Sequence, residues 1–554
     1  SAYWHDLCWK AWRTYVQDYE PPADGQFSKI LVPTVDVVRS TWLLDTVVSC
    51  GKPTLFVGES GTAKSVTIHN YLGSLDGAVN INLNVNFSSR TSSFDVQRAI
   101  EDSTEKRTKD TYGPPMGKRL LMFIDDLNMP RVDRYGTQQP IALLKLFIER
   151  KGLYDRGKEL SWKHMKDVQV VGAMGPPGGA RNPVDPRFMS LFNVFGIQFP
   201  STDNLRTIYQ AILSRHLAKL PCEEIQIMMG EKLTDATLEL YNHISEKLPP
   251  TPSRFHYVFN LRDLSRVYEG LLLSTPDMFP DAQSFLRLWR NEALRVFHDR
   301  LICPEDKALA LAKVQELVEA RFPSCAQHAL ADPCLFGDVG GALGTLRGEE
   351  VEGEALRLYA DLGDYAAIKP VFEEVLSLYN AKRKPMNLVF FEDALEHLVR
   401  ICRTMRLPQG NLLLVGVGGS GKSSLTRFAT HMGGFKIFSI ELTRGYGSNE
   451  FREDLRKLYH TAGIEGKPVV FLFSDTQIVN EGFLEDINNM LNSGEVPGMF
   501  AQDDKDRIAA DIREWVLEHG GGAASKDACY SAFIGRVRDN LHIVLCMSPV
   551  GDAF

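Results

Sequence analysis

The sequence contains no apolar run approaching the roughly 18 consecutive residues that are needed to cross a bilayer. Its N-terminus, SAYWHDLCWK, lacks the basic region and following apolar stretch of a secretory signal. An excess of basic residues is also missing, because 62 Lys and Arg stand against 70 Asp and Glu. These absences argue against a membrane protein, a secreted protein and a general nucleic-acid-binding surface.

Paired cysteine spacing is absent as well, since the nine cysteines are an odd number and form no CxxC motif. This usage fits reduced thiols in a cytosolic compartment better than a disulfide framework. The composition is that of a soluble globular protein, with 44% hydrophobic and 24% charged residues over 554 positions. Such a length predicts about three to five structural units. The chain also begins without Met, which suggests a piece of a longer protein.

Two glycine-bounded segments of one design occur in the chain, GESGTAKS at 58–65 and GVGGSGKS at 416–423. Each follows a short apolar run typical of a buried strand, TLFV at 54–57 and NLLLV at 411–415, and each precedes a stretch compatible with helix. A strand, a Gly-rich turn and a helix are the setting of a phosphate-binding loop. There, backbone N–H groups face the phosphate, a lysine neutralises its charge and a hydroxyl coordinates magnesium.

The two loops match this pattern unequally. The second is complete, whereas in the first Ala63 stands where the second glycine belongs. The alanine methyl group could crowd the phosphate, although alanine is acceptable if its φ angle is negative. A turn that binds nothing is the alternative for either loop. The residues expected to contact nucleotide are Gly58, Glu59, Ser60, Gly61, Thr62, Ala63, Lys64 and Ser65, and in the second loop Gly416, Val417, Gly418, Gly419, Ser420, Gly421, Lys422 and Ser423.

An apolar run ending in aspartate follows each loop, RLLMFIDD at 119–126 and VVFLFSD at 469–475. Strands of this kind place a carboxylate that orients magnesium, and a following carboxylate that positions the attacking water. The residues expected at the metal are Ser65 and Asp125 in the first copy, and Ser423 and Asp475 in the second.

The residue after each metal carboxylate departs from the glutamate that hydrolysis requires. Asp126 supplies a shortened base, because one missing methylene retracts its carboxylate by roughly 1 Å, and misplacement on that scale can cost on the order of 10²-fold in rate. Thr476 supplies no carboxylate, and Glu481 remains as the alternative base there. Both sites are therefore expected to be weak in hydrolysis.

The order of these runs predicts an α/β fold with two tandem P-loop modules, each a parallel sheet sandwiched by helices. Further strands are predicted at 168–175 and 541–548, and the first copy continues to FGIQF at 195–199, so the second module is truncated before its last strand. Two Gly-rich stretches, 338–355 and 517–525, are predicted to be surface loops. The expected divisions are a linker at 1–29, a large subdomain at 30–200, a helical lid at 201–304, connecting helices with a Gly/Glu-rich loop at 305–384, and a second large subdomain at 385–554.

Several longer sequence segments resemble those of one protein family. VPTVDVVRSTWLLD, GESGTAKS, FIDDLNMP, YGTQQPIALLK, NPVDPRF and FLEDINNMLNSGEVP are similar to the motor ring of dynein heavy chains, in the order of its third and fourth AAA+ modules. The GESGTAK and DDLNMP wording resembles axonemal chains, particularly inner-arm types. The resemblance covers nearly all of the chain, from about Lys29 to Phe554.

The resemblance implies a segment that binds ATP or ADP with Mg²⁺ and contributes regulatory sites to ATP-driven, minus-end-directed motility on microtubules in cilia and flagella. The implied location is the axoneme, a part of the cytoskeleton. Partners would be the remaining AAA+ modules of the same heavy chain and the dynein intermediate and light chains. Microtubules would be bound only through the stalk, which this segment does not encode. Two alternatives remain, a structural segment that holds nucleotide without turnover and a different AAA+ remodelling ATPase.

The resemblance also assigns roles to residues outside the loops. Arg187 resembles an arginine finger directed to the preceding module, and Arg262 resembles the second sensor on the lid. Gly175 and Ser548 occupy the places of the first sensor, where a glycine has no side chain to contact phosphate. The residues implied to meet adenine are Val32, Pro33 and Thr34 at the first site, and Leu388 and Val389 at the second.

Overall fold

The structure is a computed structural model that describes residues 2–5, 8–21, 27, 30, 32–89, 91–157, 160–178, 181–220, 229–347, 357–496, 498–519 and 526–549. The chain divides into two compact units. The first comprises Ser1–Arg215 with Asn260–Arg262, and the second comprises His216–Phe259 with Asp263–Phe554. Within the described ranges, no helix combines the length and apolar character that a membrane span requires.

The first unit alternates strands and helices along the chain. Its strands are β1 (Ala2–His5), β2 (Cys8–Ala11), β3 (Thr54–Val57), β4 (Asn80–Asn86), β5 (Glu105–Lys106), β6 (Thr111–Gly113), β7 (Arg119–Asp125), β8 (Gly152–Tyr154), β9 (Trp162–Met165), β10 (Val168–Met174) and β11 (Asn193–Gly196). Its helices are α1 (Val35–Ser49), α2 (Lys64–Ser74), α3 (Ser93–Asp102), α4 (Gln139–Arg150) and α5 (Pro186–Met189), followed by α6 (Thr202–Leu217).

Five of these strands form one parallel sheet in the order β11-β3-β10-β7-β4. The interior strand β7 is apolar from Leu120 to Ile124 because both of its faces are covered there. Leu121 and Phe123 pack with side chains of α1 and α2, whereas Met122 and Ile124 pack with side chains of α3 and α4. This alternation follows from the two-residue period of a strand. The predicted sandwich of a parallel sheet between helices is confirmed.

Two features of the first unit differ from expectation. The last strand of the sheet covers Asn193–Gly196, so the prediction of a strand over 195–199 was wrong for residues 197–199. A second sheet, β5-β6-β9-β8, is built from the segments flanking β7 and α4, and its strands are only two to four residues long. Runs of that length carry too little periodicity to be recognised from sequence.

The second unit contains the remaining helices and strands. Its helices are α7 (Gly230–Lys247), α8 (Leu261–Leu271), α9 (Ala282–Ala293), α10 (Pro304–Arg321), α11 (Ala326–Ala329), α12 (Val339–Arg347), α13 (Tyr365–Lys382), α14 (Glu392–Arg406), α15 (Lys422–Gly433), α16 (Ser448–Tyr459), α17 (Glu481–Asn492), α18 (Gln502–His519) and α19 (Lys526–Asn540), with α8 beginning in the first unit. Its strands are β12 (Phe336–Gly337), β13 (Ala360–Asp361), β14 (Leu412–Val415), β15 (Lys436–Phe438), β16 (Val469–Ser474) and β17 (Leu541–Met547).

Four strands of this unit form a parallel sheet in the order β14-β17-β16-β15. Strand β3 of the first unit pairs on both sides, whereas in the described residues β14 pairs only with β17. Leu413 on β14 is consequently 58% exposed, while Leu55 at the matching position of β3 is fully buried. The second sheet therefore has no counterpart of β11 among the described residues.

The Gly-rich stretch at 338–355 is not entirely a loop. Residues Val339–Arg347 form α12, and Leu343 and Leu346 pack against the core that α13 and α14 share. The prediction of a surface loop was therefore wrong for this part, because tertiary packing overrides the poor helix propensity of glycine. Residues 348–356 and 520–525 lie outside the described residues.

Within the second unit, a buried ion pair joins α9 to α14. Glu292 is fully buried, and its carboxylate accepts hydrogen bonds from the Nε of Arg403 at 3.2 and 3.1 Å. Tyr359 Oη and Asn291 Nδ2 also donate to Glu292, at 2.8 and 2.9 Å. Burial alone would lower the pKa of Arg403, but the charge of Glu292 outweighs it and the net shift is upward. The pair is therefore ionised and fixes α9, a helix of the lid, to the helix that precedes β14.

Candidate functional site

The first loop connects β3 to α2. Gly58 follows β3 directly, and a Cβ atom there would overlap the carbonyl oxygen of Ile197, which lies just beyond β11. Only glycine allows this close approach of the two backbones. The N-terminus of α8 covers the other side of the loop, since a Cβ on Gly61 would lie 3.4 Å from the backbone nitrogen of Leu261. Ile197 and Leu261 therefore both lie close to the loop.

Lys64 is the first residue of α2, and its side chain turns back over the loop. Its Nζ donates hydrogen bonds to the carbonyl oxygens of Gly58 and Glu59, at 2.8 and 2.5 Å, and to Thr62 Oγ1 at 3.2 Å. The amino group therefore lies at the centre of the loop, where a phosphate would meet it.

The second loop repeats this arrangement in its own unit. Lys422 is the first residue of α15. Its Nζ donates to the carbonyl oxygens of Gly416 and Val417, at 2.6 and 2.9 Å, and to Ser420 Oγ at 3.3 Å. Each contact has its counterpart at the same spacing in the first loop. Two segments that share few residues besides the motif thus fold into one geometry.

The backbone of each loop supplies donors that the protein itself does not use. Among the described residues, no protein acceptor is bonded to the N–H groups of residues 60–66 or 421–424. Helix geometry leaves the first turn of α2 and α15 without intrahelical partners, and its dipole favours an anion there. The residues present therefore fit a phosphate group at both loops.

Ala63 adopts the conformation that the second loop gives to a glycine. Its φ is 58° and ψ is 17°, close to the φ of 82° and ψ of 3° at Gly421. Alanine was predicted to be acceptable at this position if its φ is negative, and the observed φ is positive. The left-handed conformation costs an alanine about 1 kcal/mol or more relative to the right-handed one. The first loop therefore contains backbone strain that the second loop avoids.

The end of β7 brings two carboxylates beside the first loop. Asp125 Oδ1 accepts a hydrogen bond from the Asp126 backbone N–H at 3.0 Å. Partial burial and the charge of Asp125 raise the pKa of Asp126 above its usual value. Partial burial lowers the pKa of Lys64, although Asp125 opposes the shift. The two carboxylates and the lysine therefore lie within electrostatic reach of one another.

Asp126 has a φ of 50°, which is also left-handed. Aspartate tolerates this conformation better than residues with longer side chains because its short side chain bonds locally to the backbone. The left-handed backbone thus gives a structural reason for the shorter side chain at this position. The sequence alone gave no sign of it.

Arg181 is a basic residue beside the first loop that sequence reasoning missed. Its Nη2 lies 3.8 Å from Asp126 Oδ1, and its charge acts on both Asp126 and Lys64. A Cβ on Gly175 would lie 2.6 Å from Arg181 Nε, so the arginine occupies the space beside that glycine. The sequence signal that could have indicated Arg181 is an arginine six residues after Gly175, the glycine at the place that the resemblance gives to the first sensor.

The two arginines that the resemblance singled out differ in their surroundings. Arg262, the second residue of α8, is exposed, and its charge acts on Lys64 and Asp126, so it lies beside the first loop. Arg187 lies on α5 and is exposed, with no ion pair to another described residue. The structure brings Arg262 to the site and leaves the side chain of Arg187 in solvent.

The residues expected to meet adenine have mixed exposure. Val32 and Thr34 are buried, and Thr34 Oγ1 accepts a hydrogen bond from the Val37 N–H, so it caps α1. Pro33 is partly buried. Leu388 packs partly against the core of the second unit, whereas Val389 is 79% exposed.

The acidic strand end of the second copy is arranged differently. Asp475 Oδ2 accepts a hydrogen bond from the Ser548 backbone N–H at 3.0 Å, and Oδ1 accepts one from the Thr476 N–H at 2.8 Å. A bond from the Ser548 hydroxyl, with these backbone bonds, lowers the pKa of Asp475. The hydroxyl of Thr476 lies 2.9 Å from Ser474 Oγ. Glu481 is the first residue of α17 and is exposed. Asp475 is ionised here and no carboxylate occupies the position after it.

Comparisons with known proteins agree with this geometry. The family described as the P-loop containing dynein motor region matches residues 19–200, and the P-loop containing dynein motor region D4 matches residues 386–554. The dynein heavy chain ATPase lid domain matches residues 208–307, between them. Nucleotide binding is implied by the P-loop in both motor-region families.

Among individual proteins, the chain is 69% identical over 546 residues to the dynein-1-alpha heavy chain of the flagellar inner arm I1 complex of Chlamydomonas reinhardtii. It is 52% identical over 544 residues to human dynein axonemal heavy chain 10. Both alignments cover 98% of this chain and 12% of the relative. The chain belongs to the axonemal dynein heavy chains. This dynein segment contains the third and fourth AAA+ modules of the motor, as its D4 match and the order of its motifs indicate.

Proposed function

We propose that this dynein segment contributes two nucleotide sites to the motor ring and that both regulate the ring instead of driving it. The observation that supports the proposal is the matched geometry of Lys64 and Lys422, each folded over its loop beside unused backbone N–H groups. A loop with a purely structural role has no need of such donors. The dynein families that match the chain also exclude the alternative of an unrelated remodelling ATPase from further consideration.

In this proposal, each loop lysine meets the phosphates of ATP or ADP. Bound Mg²⁺ would neutralise phosphate charge, and the residues suited to hold it are Ser65 with Asp125, and Ser423 with Asp475. Hydroxyl and carboxylate oxygens are the ligands that magnesium prefers. Arg262 would add positive charge at the first site, from the lid.

The two sites should differ in turnover. Asp126 retains a carboxylate, so the first site hydrolyses slowly once the intact ring supplies an arginine finger from the module that follows it. Thr476 cannot act as a base near neutral pH, so the second site holds its nucleotide. The bonds from Ser548 and Thr476 that hold Asp475 in place favour a second site that regulates by retaining its nucleotide. Bound nucleotide then stabilises the unit by mass action.

The chain spans 12% of the length of the two relatives described above, so the activity of the whole motor is also a proposal. We assign it to ATP-driven, minus-end-directed motility on microtubules in the axoneme of cilia or flagella. The remaining AAA+ modules and the intermediate and light chains are the proposed partners. Microtubules are bound outside this segment.

Binding of a fluorescent ATP or ADP analogue to the chain tests the proposal. Lys64→Ala and Lys422→Ala should each lower affinity at one site by roughly 10- to 100-fold, because each removes a charge-assisted contact worth about 1.5 to 3 kcal/mol. The double variant should lose both sites. Lys109→Ala and Lys384→Ala remove exposed lysines and serve as matched controls. Unchanged binding in the double variant would refute the proposal.

A further inference from the structure

The first site lacks a side chain where the sheet approaches the nucleotide. Strand β10 lies between β3, which leads into the loop, and β7, which ends in the carboxylates. Gly175 follows β10 directly, so it lies between the phosphate loop and Asp126. Asn128 Nδ2 donates to the Gly175 carbonyl oxygen at 2.8 Å and fixes this backbone. A Cβ at position 175 would meet the side chain of Arg181, so glycine leaves room there for the arginine.

Arg181 fills the space. A Cβ on Gly175 would lie 2.6 Å from Arg181 Nε and 2.8 Å from its Cδ and Cζ, so the arginine stem packs flat on the glycine. The backbone of Arg181 is anchored, because it exchanges two hydrogen bonds of 3.1 Å with Gly178. The N–H of the next residue, Asn182, donates to the Asn128 carbonyl oxygen at 3.0 Å. The position of the guanidinium is therefore defined by the fold.

The guanidinium lies in ion-pair range of Asp126 but makes no hydrogen bond within the described residues. Its distance of 3.8 Å from Asp126 exceeds a hydrogen bond, and its Nε is buried without any hydrogen-bond partner in the described residues. Its charge acts on Asp126 and on Lys64, and the charges of Asp125 and Arg262 act on the same two groups. An arginine with unused donors therefore lies among the charged groups beside the first loop.

We infer that Arg181 contacts the terminal phosphate of a nucleoside triphosphate at the first site, in the space left by Gly175. This inference rests on the nucleotide site proposed above. The planar fork of the guanidinium matches phosphate oxygens, and a triphosphate draws it away from Asp126. A diphosphate lacks the terminal group, so Arg181 stays beside the carboxylate. Arg181 therefore makes the site prefer triphosphate and couples its nucleotide state to Asp126.

The test measures affinity for a non-hydrolysable ATP analogue and for ADP, each with Mg²⁺, in the chain carrying Lys422→Ala so that only the first site binds. Arg181→Ala should lower triphosphate affinity about 10-fold or more and leave ADP affinity within about two-fold. Arg181→Lys should recover part of the loss because it restores charge without the fork. Gly175→Ala should reproduce the loss, since its methyl group displaces the guanidinium. Lys109→Ala, at an exposed residue of the same unit, is the matched control and should change neither affinity.

The outcomes separate this inference from the proposed function. If the Lys422→Ala chain binds neither ligand, the nucleotide site itself is refuted. If it binds both and Arg181→Ala weakens them equally or not at all, only the role of Arg181 is refuted. If Arg181→Ala does not fold, as thermal unfolding would reveal, the ratio of the two affinities in Arg181→Lys and Gly175→Ala decides in the same way.

Discussion

Removal of the buried ion pair between Glu292 and Arg403 should destabilise the second unit strongly. Arg403→Met leaves the Glu292 carboxylate fully buried without its cation, a change that typically costs 3–5 kcal/mol, or about 3 kcal/mol here. The lower figure follows because Tyr359 and Asn291 still donate hydrogen bonds to the carboxylate. Glu292→Leu should also destabilise the second unit, since it leaves the buried Arg403 without its carboxylate partner.

The two substitutions should not be additive. Replacing both partners, Glu292→Leu with Arg403→Met, removes both buried charges, and such replacements are commonly near neutral. The double variant should therefore recover about 2 kcal/mol or more relative to the sum of the single changes.

Guanidinium unfolding, with hydrogen exchange of peptides from α9 and α14, measures these effects where the pair acts. Lys369→Met is the matched control, because Lys369 and Glu373 form an exposed pair at 4.0 Å on α13 of the same unit. That change should cost less than about 0.5 kcal/mol. A cost below about 1 kcal/mol for Arg403→Met, or additive single changes, would refute the reasoning that the pair is buried and ionised.

Three further predictions concern the two loops. Ala63→Gly relieves the strain of a left-handed alanine but adds freedom to the unfolded chain, so it should stabilise the first unit by about 0.5 kcal/mol. Gly421→Ala introduces the same strain and should destabilise the second unit. Thermal unfolding measures both changes. Asp126→Asn should raise the stability of the first unit at pH 7, because a carboxyl with a raised pKa loses stability as pH rises, and the effect should vanish below the unfolded pKa near 4. Asp475→Asn should lower stability at pH 7, because the pKa of Asp475 is lowered, and this effect should fade as pH falls. Melting curves at pH 7 and below about pH 4 measure both effects. Asp126→Glu should accelerate single-turnover phosphate release at the first site of an intact ring by up to about 10²-fold if carboxylate reach limits hydrolysis.

Each of these has a contrary result. Equal signs for Ala63→Gly and Gly421→Ala would show that strain at φ above zero does not decide loop stability. A pH-independent effect of Asp126→Asn would show that its pKa is not shifted. No acceleration by Asp126→Glu would assign the limit to the strained backbone at that residue, whose φ of 50° a glutamate tolerates less well, or to Ala63 and Gly175.

Several strands, both phosphate-binding loops and the family could be predicted from the sequence alone, whereas the short strands β5, β6, β8 and β9 could not. Apolar runs at 54–57 and 119–125 coincide with β3 and β7, because strands buried on both faces must be apolar throughout. The glycines and lysine of each motif likewise predict the turn and the helix that begins at Lys64 and at Lys422. These features depend on neighbouring residues, which a sequence displays directly.

The side chains that lie beside the phosphate-binding loops became visible only in the tertiary structure. Arg181 reaches Asp126 because β10 lies between β3 and β7 and Gly175 leaves space for it, which no local pattern contains. The left-handed backbone at Ala63 belongs to a loop that lies close to Ile197 and Leu261. Glu292 and Arg403 are far apart in sequence and meet through packing of α9 on α14. Long-range packing sets side-chain partners and strained φ angles, so their effects cannot be deduced from spacing along the chain.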